Sequence, residues 1–135
     1  MSLLASTKTL PEANQEQVCL WVHSNSSQIA LTVLEITQKP IPTILWAPVS
    51  GFFPYFVLYY TDEYKDEGKY LRRSLVEFEK DYDVDKYSFD KFLKRIEAPI
   101  IIHQGTADEY VSLKWSKQLT NKLKDLDKDV TYYLL

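Results

Sequence analysis

Apolar residues fall into three short, nearly unbroken runs: Val18-Cys19-Leu20-Trp21-Val22, Thr43-Ile44-Leu45-Trp46, and Pro99-Ile100-Ile101-Ile102-His103-Gln104. Each is bounded by proline, glycine or a polar turn, which predicts short strands of a parallel sheet, buried on both faces. A fourth β-rich run, Val130-Thr131-Tyr132-Tyr133-Leu134-Leu135, closes the chain. Between the first two runs, Ile29, Ala30, Val33, Leu34 and Ile36 recur mainly at helical spacing, and Pro40 marks the exit, so a helix is expected over 28–37. Between the last two, Leu113, Ser116, Leu119, Leu123 and Leu126 form one stripe with lysines between them, predicting a helix over 112–126. The pattern reads βαβ, an insert, then βαβ: an α/β fold of about four mostly parallel strands flanked by helices.

The insert, residues 52–97, is helical in character and follows the second strand. Its best candidates are 69–81 and 88–96, with Ser88 as an N-cap. Charges of both signs alternate along it, which favours a plain solvated helix face. The sharper reading is that Phe52, Phe53 and Tyr55, with Tyr59 and Tyr60, line a substrate pocket. The segment leaves the C-terminal end of a strand, where open α/β sheets bind ligands. Residues 1–17 are polar and irregular, and read as a leader to a single domain spanning 1–135.

Composition narrows the function classes. The chain is 45% hydrophobic, enough to build a core, and its net charge of -3 comes from interspersed acidic and basic residues, which excludes a nucleic-acid footprint. The lone cysteine, Cys19, cannot form an internal disulfide, so a cytoplasmic location is expected. One cysteine and two histidines give no metal site, and no cofactor is expected. The most apolar stretch, 52–60, is broken by Pro54 and is far shorter than the roughly 20 residues that span a bilayer, so no membrane partner is expected.

Two segments could carry chemistry. An apolar strand followed at once by Ser24 and an amphipathic helix is the setting of a nucleophile elbow, although a serine there also serves as a plain N-cap. The helix N-terminus, beginning with the Asn25 N–H, would favour a developing oxyanion. The third strand ends in Gly105-Thr106-Ala107-Asp108, which puts Asp108 at the same sheet edge as Ser24 if the strands are parallel. A carboxylate there can orient an imidazole and stabilise its protonated form.

The stretch from Ile96 to Asp108 resembles the segment carrying the triad aspartate in prolyl-oligopeptidase-like serine peptidases. Leu20-Trp21-Val22-His23-Ser24-Asn25-Ser26-Ser27 is similar to that family's elbow, Leu-Trp-Gly-His-Ser-x-Gly-Gly, and Ala47-Pro48-Val49-Ser50 also resembles the family. The resemblance covers nearly everything from Gln17 to Leu135 and implies the last four strands of an α/β-hydrolase sheet. It implies Ser24 as nucleophile, Asp108 as triad acid, Asn25 as one backbone oxyanion donor, and a peptide or small ester as substrate.

Three departures shape the expectations. Val22, Ser26 and Ser27 replace glycines, and β-branched Val22 is expected to crowd the elbow. The family's histidine follows the last strand, so this chain is expected to lack its base and to be inactive. His23 is expected to brace the elbow with its side chain pointing elsewhere, and His103 to hydrogen-bond near a strand end. The family's earlier strands precede the nucleophile strand, which leaves 18–22 as an apolar edge expected to pair with a second copy. The alternative reading is therefore a degenerate, non-catalytic module that binds a partner or self-associates. A flavodoxin-like binding domain would explain the βαβ pattern but not the Gly105–Asp108 segment.

Overall fold

The computed structural model describes residues 5–14 and 16–135. Residues 1–4 and 15 of the leader lie outside them, and the rest of the leader contributes one 3-10 turn, Thr7–Thr9. Four strands, β1 (Leu20–His23), β2 (Thr43–Trp46), β3 (Ile100–Gln104) and β4 (Val130–Leu134), form one sheet in the order β1-β2-β3-β4. All three pairings are parallel. Helix α1 (Ser26–Thr37) connects β1 to β2, and α4 (Leu113–Asp125) connects β3 to β4.

Spatial order equals chain order, so right-handed crossovers all step the same way and lay both connecting helices on one face. The core sits there. Ala30, Leu31 and Leu34 of α1, Leu119 and Leu123 of α4, and Phe89, Leu93 and Ile96 pack against Leu45, Ile100 and Ile102. Each fully buried leucine or isoleucine contributes about 1.5–3 kcal/mol of burial. Truncating Leu45 or Leu119 to alanine is expected to destabilise by about 2–5 kcal/mol.

The expectation of strands buried on both faces is overturned. Among the described residues nothing covers the second face, where Trp21 is 64% exposed, Trp46 41% and Tyr133 48%. Register aligns His23, Trp46, His103 and Tyr133 in one row across the sheet. The His103 ring stacks between Trp46 at 4.9 Å and Tyr133 at 5.0 Å. A short apolar run reports how apolar a strand is, not how many layers cover it. His103 also differs from expectation: its buried Nδ1 has no hydrogen-bond partner among the described residues, and the ring is held by stacking.

Between β2 and β3 run α2 (Tyr55–Thr61), α3 (Lys69–Glu79) and three 3-10 turns over Val84–Tyr87, Phe89–Lys91 and Leu93–Arg95. The helix expected over 88–96 is not formed. The Ser88 hydroxyl, predicted to cap it, instead donates to Asp90 Oδ1 (2.5 Å) and accepts from the Phe53 N–H (3.2 Å). That anchoring fixes the chain in short turns that still send Phe89, Leu93 and Ile96 into the core. Cys19 is free and exposed. No helix among the described residues is long and apolar enough to cross a membrane.

Candidate active site

Ser24 sits in the turn that joins β1 to α1, with φ +56°, the left-handed region. For a non-glycine residue this costs on the order of 1–3 kcal/mol and persists only when the surroundings hold it. Here they do. The Ser24 N–H donates to the Trp46 carbonyl (3.0 Å), and its carbonyl accepts from the Ser27 N–H (3.1 Å) and the Val49 N–H (3.2 Å). The N-cap position belongs to Asn25, so Ser24 is not a capping serine. Among the described residues its hydroxyl has no partner and the Asn25 N–H has no acceptor.

The residues that replace glycine are accommodated in three different ways. Val22 points to the covered face and packs against the core, so the expected crowding does not displace Ser24 from the left-handed conformation. Ser26 ties strand to helix: its hydroxyl donates to the His23 carbonyl (2.6 Å) and accepts from the His23 N–H (3.2 Å). Ser27 is fully buried and its Oγ has no partner, a net cost of about 1–3 kcal/mol.

Asp108 follows β3 in a tight loop. Its Oδ1 accepts from the Tyr110 and Val111 N–H groups, both at 2.9 Å, and its Oδ2 accepts from the side-chain amide of Gln104 at 3.1 Å. Gln104, 1% exposed, is the last residue of β3, so the sheet itself orients the carboxylate. Burial pushes the Asp108 carboxyl up, but the Val111, Tyr110 and Gln104 hydrogen bonds and the field of His23 outweigh it. Its pKa lies below the ordinary aspartate value.

Ser24, Asn25 and Asp108 line one cavity of about 620 Å³. His23 borders it too, and its field reaches Asp108. The left-handed turn at Ser24 brings the end of β1 round to the cavity. Phe52, Phe53 and Tyr55 do not line this cavity. Phe52 packs on the core, edge-on to Phe89 and beneath the Lys122 ammonium; Phe53 lines a separate cleft between α2 and α3; Tyr55 is 70% exposed. Of the expected aromatics Tyr60 lines the cavity, and the rest of the apolar wall comes from Phe56, Val57 and Tyr64, with Tyr110 and Val111 opposite. The i, i+4, i+8 spacing of Phe56, Tyr60 and Tyr64 was the available signal. Tyr60 donates to the Tyr110 carbonyl (3.0 Å), joining the two walls. Burial pushes its phenol up, with Tyr59 and Asp108 adding to the shift.

No family model matches the chain. No curated protein does either. Solved structures do. Acylaminoacyl peptidase from Pyrococcus horikoshii superposes with a TM-score of 0.70 at 18% identity, over 98% of this chain and 21% of that one. Dipeptidyl peptidase 4 from Porphyromonas gingivalis gives 0.67 at 17% identity, over 98% and 18%. A lipase/esterase from Lactobacillus plantarum gives 0.67 at 13% identity, over 98% and 53%. The chain thus spans about a fifth of the length of the two peptidases. Four parallel strands, the helices on their core face and these structural neighbours together give the chain a partial α/β-hydrolase fold, shared with the acylaminoacyl peptidase and dipeptidyl peptidase 4 structures.

Proposed function

We propose that the site is that of a serine hydrolase acting on a peptide or small ester. The observation that carries this is the left-handed Ser24, at a strand–helix junction, sharing a cavity with a carboxylate held by three donors. Ser24 Oγ attacks the substrate carbonyl and loses its proton to a base. The tetrahedral oxyanion is stabilised by the Asn25 N–H, and collapse expels the amine or alcohol, which takes up a proton. Water then hydrolyses the acyl-serine. Asp108, ionised at neutral pH, orients the base and stabilises it when protonated.

Among the described residues no imidazole is hydrogen-bonded to Ser24 or Asp108, so turnover by this chain alone is proposed to be slow. Loss of a triad member typically leaves only a residue of the full rate enhancement. Incubation with a fluorophosphonate probe followed by peptide mapping tests the assignment. Slow modification at Ser24, absent in Ser24→Ala, is expected, whereas modification confined to other residues would refute it.

A non-catalytic, self-associating module is supported by one observation: β1 is an edge of the described sheet and carries the exposed Trp21. Pairing of a second copy along β1 would satisfy its free backbone groups. Size-exclusion chromatography with light scattering separates dimer from monomer.

A further inference from the structure

Glu35 of α1 is a buried carboxyl to which the active site gives no role. It is 3% exposed, and its Oε1 has no hydrogen-bond partner among the described residues. It lines a cavity of about 250 Å³ between α1 and the 84–95 turns, whose walls include Tyr87, Phe89 and Phe92 and whose charged groups are Lys86 and Arg95. Cavities of about 150 Å³ accept a benzene ring. Arg95 lies over the Phe92 ring, 5.3 Å from its centre, without an acidic partner among the described residues. Lys86 has only a loose pair with Asp83 (3.7 Å). The nearby Asp90 is taken up by Lys122 (2.7 Å) and Ser88 (2.5 Å).

An unpaired buried carboxyl, aromatic walls and two cations together define a ligand. We propose that this cavity binds a small monocarboxylate bearing an aromatic or branched apolar group. Its ring lies against Phe89 and Phe92, and its carboxylate accepts from the Arg95 and Lys86 cations and from the Glu35 hydroxyl. Two like carboxylates share a site only if one holds a proton. Burial pushes Glu35 up to about 8, against the pull of Arg95 and with the push of Asp90, so it carries that proton at neutral pH. The opposite class, an aromatic cation, would meet Arg95 and Lys86 as like charges.

Benzoate is the probe, with benzylamine as its cationic counterpart, followed by calorimetry and saturation-transfer NMR on the whole chain. Benzoate is expected to bind at pH 6 with transfer from Phe89 and Phe92, and benzylamine to bind more weakly. If only the protonated cavity binds, affinity falls about tenfold at pH 9, one unit above the Glu35 pKa. Glu35→Gln, which keeps a donor, retains binding at pH 6 and abolishes the decline, while Arg95→Met weakens binding at both pH values. An unchanged decline in Glu35→Gln would overturn the proposal. So would preference for benzylamine, or the absence of transfer from Phe89 and Phe92.

Discussion

Ser24 and Asp108 reach one cavity from strands two places apart in the sheet, β1 and β3, and the carboxylate arrives with three donors already attached. Two of those donors bind Oδ1 and one binds Oδ2, which leaves Oδ2 free to accept another hydrogen bond. That asymmetry is what a carboxylate needs if it is to orient a histidine without moving.

The same network makes Asp108 a folding residue. Because its folded pKa is depressed, its stabilisation is present above the unfolded value near 3.8 and is lost as pH falls through the lower folded value. Asp108→Ala is expected to destabilise by about 1–3 kcal/mol at pH 7, since it strands two backbone N–H groups and removes the shortest of the Gln104 amide's hydrogen bonds. Urea denaturation at pH 7 and pH 3 measures this: the difference between wild type and variant shrinks in acid.

The two serines of the elbow should respond in opposite directions. Ser26→Ala removes both hydrogen bonds to His23 and is expected to destabilise by about 1 kcal/mol. Ser27→Ala relieves a buried, unpartnered hydroxyl and is expected to be neutral or to stabilise by about 1 kcal/mol. Thermal denaturation of the two variants side by side reads the sign of each.

Glu35 predicts a stability slope of its own. Its folded pKa of about 8 exceeds the unfolded value of 4.5, so between these the folded state holds one more proton than the unfolded state. Its contribution to stability is therefore full below about pH 4.5 and falls by up to about 1.4 kcal/mol per pH unit as pH rises toward 8. Glu35→Gln should flatten the slope and stabilise the protein at pH 8. Chemical denaturation from pH 5 to pH 8 is the test.

Self-association along β1 should be broken by a charge on the edge. Trp21→Lys places an ammonium on an exposed position of that strand and is expected to shift a dimer to monomer in light scattering without loss of helix content. An unaltered dimer would put the contact elsewhere.

Much of the fold could be read directly from the chain. The apolar runs at 43–46 and 100–104 coincide with β2 and β3, and the spacing of Leu119 and Leu123 marks the buried face of α4. What escaped depends on three-dimensional facts that periodicity does not encode. Whether Ile44 or Ile101 is covered depends on which layers exist, not on its own polarity. Which aromatics of the insert meet Ser24 depends on the helix that starts after Pro54, which turns Phe56 and Tyr60 inward and Tyr55 outward. The helix expected over 88–96 was lost to a hydroxyl captured by Asp90 and Phe53. Where Val22 goes depends on alternation along β1, which points it into the core rather than toward the elbow.

The most direct test of the central claim is the rate of fluorophosphonate incorporation as free imidazole is added. If Ser24 is a nucleophile beside a carboxylate built to hold an imidazole, incorporation at Ser24 rises with imidazole in wild type, rises less in Asp108→Asn, and is absent in Ser24→Ala. Incorporation that responds to imidazole identically in wild type and Ser24→Ala would contradict it.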